Sequence, residues 1–260
     1  MNKIPLLSGE PTDRSIIKPL SKAKNRLILG KLDLDRLPKR VILCFFKDFY
    51  RLVEELYNPH IYRYHDDFPI YIFTFEGKEI AFLYPTIGSY ASTILEEVIA
   101  LGGKEIIAIG GVGTTWEGIV RGDLILPDKA IRDEGVSYQY EKPSTFSYPG
   151  EKLRDRIKVS IQNRKLPFVE GATWTVSSVY RETENKLRQF LDLRAVCVDM
   201  EAASFYSIAK FREVELASLF IAGDNIAGNK WGSQKSPGKM DSIRAGREKL
   251  LQIALDALGN

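Results

Sequence analysis

The chain has little sulfur and little imidazole. Its 260 residues include only two cysteines, Cys44 and Cys197, and two histidines, His60 and His65. Both cysteines sit in apolar runs, and neither belongs to a Cys-x-x-Cys or Cys/His cluster. They read as buried free thiols in a reducing compartment, not as a disulfide framework. Two histidines are too few for a histidine-based zinc site, so no metal is expected. No apolar run reaches about 18 residues, which argues against a membrane span. The opening MNKIPLLSGEPTDRS has no signal-peptide apolar core, so a cytoplasmic chain is expected. Charge of one sign is missing too: 37 Lys and Arg face 34 Asp and Glu, interspersed along the chain, for a net +3. That leaves neither a nucleic-acid stripe nor a polybasic membrane patch. Internal repeats and low-complexity tracts are absent.

What is present suits one domain with a large core: 44% of residues are apolar. The pI near 8.7 suits a small anionic ligand. Residues 1–25, with Pro5, Pro11 and Pro19, read as an arm on the surface or on a neighbouring subunit, and residues 26–260 as the domain. Arg26–Gly30 (RLILG) predicts a first strand and turn. Val41–Tyr57 has apolar residues at helical spacing and is stopped by Pro59. Ile70–Phe75 and Glu79–Tyr84 alternate around Glu76–Lys78, a hairpin signal. Ser89–Leu101 predicts a helix with Ser89 as N-cap and Gly102 after its end. Glu105–Ile109 and Asp123–Pro127 predict strands, with a glycine-rich turn at Gly110–Gly113. Further on come a helix over Glu151–Gln162, a strand over Phe168–Val179 and a last amphipathic helix over Lys239–Leu258. Strands alternate with helices, so the fold class is α/β: a single three-layer α-β-α domain with a central mixed sheet.

One stretch concentrates chemistry. Val196–Gly228 reads as strand, acidic cluster, helix, strand and acidic turn, so two strand ends present Asp199, Glu201 and Asp224. Ligands gather at the carboxyl ends of parallel strands. The run IAIGGVGTTWEGIVRGD adds Gly110, Gly111 and Gly113, whose backbone N–H groups can approach an anion. It is not a dinucleotide fingerprint, because the third glycine is missing and a strand follows where a helix should start. It is not a P-loop either, since no Gly-Lys-Ser/Thr closes it. A packing turn and an anion site fit it equally well.

Several pieces, in order, resemble the nucleoside phosphorylase family of purine nucleoside and uridine phosphorylases and nucleosidases. They are Thr86–Ser89 (TIGS), Gly110–Thr114 followed by Val120–Asp123 (VRGD), Ala130–Ser137 (AIRDEGVS), Val198–Ala203 (VDMEAA) and Ala222–Asn225 (AGDN). The resemblance spans residues 25–258 and implies a nucleoside phosphorylase-like domain that cleaves the N-glycosidic bond through an oxocarbenium-like transition state.

The resemblance implies roles residue by residue. Glu201 would hold the ribose hydroxyls, with Met200 packed on the sugar and Asp199 a further ribose contact where the family has Glu. Asp224 would protonate a purine leaving group as general acid, which makes Asp224 and Glu201 the expected catalytic pair. Trp174, Val179 and Tyr180 would line the base. The pyrimidine-reading Gln and Arg would fall near Thr183 and Asn185, and neither type is present, which points to a purine. On the acceptor side the family's phosphate Arg is Ala108 here, and its Ser or Thr is Gly111. Gly30, Gly111 and Gly113 remain for phosphate, with Lys31, Arg36, Arg63 or His65 as replacement cations. Asp35 is a candidate base for water. Arg132, Asp133 and Glu134 read as structural or subunit contacts, and Tyr138 and Tyr140 as lining the pocket or the interface.

The resemblance therefore implies phosphorolysis of a purine-type nucleoside by a homo-oligomer, dimer or hexamer, with inorganic phosphate as co-substrate and no other cofactor. Hydrolysis, with a nucleotide such as AMP among the substrates, stays open, and so does a non-catalytic nucleoside-binding protein.

Overall fold

Apolar runs such as RVILC and AVCVD are short and β-branched, with no polar side to offer solvent. Such runs suit strands covered on both faces of a sheet. The computed structural model describes residues 6, 10–13, 15–29, 34–65, 68–229, 231–232 and 240–260. Its strands are β1 (Arg40–Cys44), β2 (His60–His65), β3 (Phe68–Phe75), β4 (Lys78–Leu83), β5 (Glu105–Thr114), β6 (Leu124–Asp133), β7 (Phe146–Ser147), β8 (Phe168–Val176), β9 (Ala195–Asp199) and β10 (Glu215–Asn225). Its helices are α1 (Pro19–Leu29), α2 (Phe49–Tyr57), α3 (Ser89–Ala100), α4 (Glu151–Asn163), α5 (Glu184–Asp192), α6 (Ala202–Phe211) and α7 (Met240–Gly259).

The strands form one mixed sheet in the order β10-β6-β8-β9-β5-β1-β4-β3-β2, with β7 added to β6. Because β10 also pairs with β5, the strands β5, β9, β8, β6 and β10 close on themselves. Parallel pairing joins β1 to β4 and β5, and β10 to β5, while β9 meets β5 antiparallel only at Gly113 and Thr114. The period-2 rule places successive residues of β5 on opposite faces. Ile106 and Ala108 pack with Leu95 and Val98 of α3 and Phe205 of α6. Ile107 and Ile109 pack with Val53 of α2, Ile157 of α4 and Ile253 of α7. Helices thus cover both faces, which makes the three layers. A smaller core gathers Trp174, Phe190 and Val198 beside α5. Among the described residues no helix is long and apolar enough to cross a membrane.

The hairpin forms as expected: Glu76 and Gly77 take φ of 48° and 75° between β3 and β4, the backbone a tight two-residue hairpin turn requires. Three expectations are corrected. Arg26–Gly30 is not the first strand: its first four residues end α1, and Gly30 lies outside the described residues. Helical spacing explains this. Lys22 and Arg26, one turn apart, both reach the buried Glu97 of α3, at 3.8 Å and 3.4 Å. Val41–Tyr57 is not one helix. RVILC is β1, buried between β4 and β5, and only Phe49 onward is helical. The glycine run is not a turn, because β5 continues through it to Thr114. Side chains explain that as well: a methyl group on Gly110 would lie 3.2 Å from the Phe45 Cβ, and one on Gly111 3.2 Å from the Phe46 Cζ. The glycines let two phenylalanine rings lie directly on the strand.

Candidate active site

The carboxyl ends of β1, β5, β9 and β10 surround a cavity of about 820 Å³. Phe45 and Phe46, just after β1, and Gly110–Gly113 of β5 form one part of its wall, and Asp199, Met200 and Glu201 after β9 another. Val179, Tyr180, Glu182, Asp224 and Trp231 also line it, with Ile87, Val198, Phe220 and Ile226. Tyr180 is 95% exposed and Trp231 70% exposed, so they belong to the rim, while Glu201 is only 9% exposed.

The acidic cluster divides its tasks. Asp199 Oδ1 accepts from the Thr173 and Thr175 hydroxyls, at 2.9 Å and 2.8 Å. Alternate residues of β8 share a face, so both threonines reach it. Its Oδ2 accepts the N–H groups of Glu201 and Ala202, at 2.8 Å and 2.6 Å, which satisfies donors at the start of α6. Burial raises the Asp199 pKa, and these four donors pull it back. Asp199 lines the cavity, but its carboxylate is already engaged by protein donors.

Glu201 is held differently. The Gly88 N–H donates to its Oε1 at 2.5 Å. The turn that carries this donor needs φ of 72° at Thr86 and 71° at Gly88, and Gly88 lies against Met200. Burial, and then the Asp199 charge, push the Glu201 pKa up to about 8. The TIGS and VDMEAA segments therefore meet at one carboxylate.

At the rim, the Trp231 indole N–H donates to Asp224 Oδ2 at 3.3 Å. Gly232 pairs with Asn225 and thereby fixes Trp231 beside the end of β10. Glu182 follows the Val179–Arg181 turn. Burial, and then the Asp224 charge, raise its pKa to about 7. Arg247 lies 4.2 Å above the Phe46 ring and pairs with Asp48 at 2.7 Å, which fixes the turn after β1.

The structure brings together most of the expected site residues: Glu201, Met200, Asp199, Asp224, Val179, Tyr180, Gly111 and Gly113 all line the cavity. Trp174 does not. It is fully buried, donates to Asp133 Oδ2 at 2.9 Å and packs on Phe190. Asp133 is drawn to it across the β6–β8 pairing and also binds Lys186, at 2.7 Å. Asp35 does not either. It is exposed and precedes β1, whose leading segment is tied to the amino-terminal edge of the sheet by Leu37 N–H to Leu101 O at 2.8 Å. The cavity lies at the opposite edge. Ala108 faces the core between α3 and α6 and is not part of the wall. Gly30, Lys31, and the side chains of Arg63 and His65, lie outside the described residues. Arg132 organises the following loop through Ser137, Glu141, Lys142 and Ser144.

Among the lining residues that escaped the sequence reading are Phe45, Phe46, Glu182 and Trp231. The two phenylalanines were hidden inside the supposed helix. Trp231 did carry a signal, as a lone aromatic in the polar stretch NKWGSQK. Among the described residues of the wall, four are Asp or Glu and none is Lys, Arg or His. No group of three His, Cys, Asp or Glu among the described residues is placed to hold a metal.

An α/β sheet with a nucleoside-sized cavity and a buried carboxylate at its strand ends defines the class. Residues 39–258 match the model of the phosphorylase superfamily, and the chain belongs to that family. It is 19% identical over 187 residues to a guanosine phosphorylase of Halorubrum lacusprofundi, covering 71% of this chain and 78% of that one. Among solved structures it is similar to a uridine phosphorylase of Vibrio fischeri, with a TM-score of 0.75, 22% identity and coverage of 87% and 93%. It is also similar to an AMP nucleosidase of Bacteroides thetaiotaomicron, with a TM-score of 0.73, 22% identity and coverage of 93% and 96%. The fold is shared with these nucleoside-processing proteins.

Proposed function

We propose that this chain cleaves the N-ribosidic bond of a purine-type nucleoside, with inorganic phosphate as acceptor. The observation that carries the reading is Glu201, a carboxylate buried in the same cavity as Met200 and Asp224 and oriented by the Gly88 N–H. A carboxylate in that setting accepts ribose hydroxyl hydrogen bonds, which strengthen as the sugar turns cationic. Asp224 at the rim protonates the departing base, and Tyr180 and Val179 offer it an apolar surface. Phosphate as acceptor is supported by kinship with the guanosine phosphorylase and uridine phosphorylase named above.

A second reading, hydrolysis, is favoured by the acidic wall. Four acidic side chains and no cation among its described residues give a phosphate dianion no counter-charge there, and Gly111 and Gly113 sit in paired strand instead of an open donor loop. An AMP-like substrate belongs to this reading, through the Bacteroides neighbour.

One experiment separates the two. Inosine, guanosine, adenosine, uridine and AMP are incubated with and without phosphate. Base release only with phosphate selects phosphorolysis, and equal release without it selects water. No release from any of them, with tight binding, would leave a nucleoside-binding protein.

A further inference from the structure

Exposed apolar side chains usually scatter singly over a surface. Here Ile87, Val179, Tyr180 and Trp231 are all exposed and all line one cavity. Trp231 is tied down at its backbone and at its ring. The Gly232 N–H donates to the Asn225 carbonyl at 2.8 Å, and the Asn225 N–H donates to the Gly232 carbonyl at 3.4 Å. Asn225 is secured in turn: its Oδ1 accepts the Ala227 N–H at 2.7 Å, and its Nδ2 donates to the Trp116 carbonyl at 3.4 Å. At the ring, the indole N–H donates to Asp224 Oδ2 at 3.3 Å. Yet 70% of the residue is exposed. A tryptophan stabilises a fold by the area it buries, and this one buries little. Its ring is fixed all the same, in the wall of the cavity.

We propose that Trp231 is a specificity-determining residue whose indole face stacks on the base of the substrate and selects two fused rings over one. The inference rests on the N-ribosidic cleavage proposed above. The hydrogen bond to Asp224 sets the rotation of the indole, so a flat surface stands where the base has to enter. Every base has a π-face, so stacking reads ring area and not the hydrogen-bonding edge. Val179 and Tyr180, on a separate turn, add apolar surface to the same rim. A two-ring base covers more of that surface than a one-ring base does.

The test uses Trp231→Leu, which keeps an apolar side chain without a ring, and Trp231→Phe, which keeps a ring without the N–H. Hypoxanthine and uracil serve as probes, as competitive inhibitors of inosine cleavage in phosphate buffer. In the parent chain hypoxanthine should inhibit at least about tenfold more tightly than uracil. In Trp231→Leu the inosine KM and the hypoxanthine Ki should rise about 10- to 100-fold, the usual worth of one stacked base, while kcat stays within about threefold. The preference for hypoxanthine over uracil should shrink to about threefold or less. Trp231→Phe should raise KM by no more than about tenfold, because a ring remains.

A second readout needs no turnover. Trp174 is fully buried, and neither it nor Trp116 belongs to the described wall. Hypoxanthine should therefore quench tryptophan emission saturably in the parent chain, and the quenching should be lost in both variants. An unchanged KM in Trp231→Leu, an equal weakening of both bases, or quenching that survives in the variants would overturn the assignment. If the parent chain releases no base from inosine, with or without phosphate, the cleavage reading fails, and the quenching alone then decides whether a base meets Trp231.

Discussion

The deep end and the rim of the cavity are built on opposite plans. At the deep end Asp199 accepts four hydrogen bonds, and Glu201, 9% exposed, is gripped by a backbone N–H from another segment. At the rim Tyr180, Trp231 and Val179 are exposed, and Glu182 sits on a short turn. The difference shows where a site needs rigidity and where it needs access. In the proposed reading, a sugar that develops charge at the deep end would call for fixed dipoles that do not reorganise, while a base at the rim has to enter and leave. Fold and chemistry are therefore coupled at the deep end and separable at the rim.

The largest expected effect breaks this contrast through pH. Glu201 is pushed up to about 8, above the 4.5 of a free glutamate. The folded state thus binds a proton more tightly than the unfolded chain. That contribution to stability is full below pH 4.5 and is lost as pH rises through about 8. Urea unfolding should show roughly 3–5 kcal/mol lost across that window from this group. Glu201→Gln should flatten the slope, and an unchanged slope would remove Glu201 as its cause.

The same variant should lower turnover roughly 10²–10³-fold, the size seen when one electrostatic contact to a transition state is removed. Near-normal turnover would take Glu201 out of the sugar site. Asp199→Ala should cost about 3 kcal/mol of unfolding free energy, because buried Thr173 and Thr175 hydroxyls and two helix-start N–H groups lose their acceptor. If it unfolds at the parent's urea midpoint, the deep end is less rigid than its hydrogen bonds imply. The smallest effect belongs to the rim. Trp231→Phe should leave the melting temperature within about 2 °C and raise KM by up to about tenfold, the worth of one hydrogen bond to a charged group. A large loss of stability there would erase the contrast between the two ends.

Much of the deep end was legible in the sequence. Val196–Gly228 reads directly as strand, acid cluster, helix and strand, and the chain folds so. The hairpin and the α3, α4 and α7 helices were equally readable from their period, although Gly88, not Ser89, is the N-cap of α3. The first strand was not, since RVILC runs straight on into a helix and periodicity cannot divide the two. Glycine spacing misled for a related reason. Gly110 and Gly111 look like a turn until Phe45 and Phe46, more than sixty residues earlier, are laid on them. Trp174 and Tyr180 show the same limit: both are aromatic and six residues apart, yet the register of β6 against β8 gives one to Asp133 and leaves the other in solvent. Side-chain destinations of that kind depend on pairing, which a single chain does not spell out.

The Gly88–Glu201 hydrogen bond joins residues 113 apart. Closing so long a loop is entropically slow, and contacts of that separation are late to be rewarded during folding. The pocket around Glu201 is thus a product of the finished chain, not of any local segment. Under the proposed function, ligand binding at Glu201 would report that the whole sheet has closed.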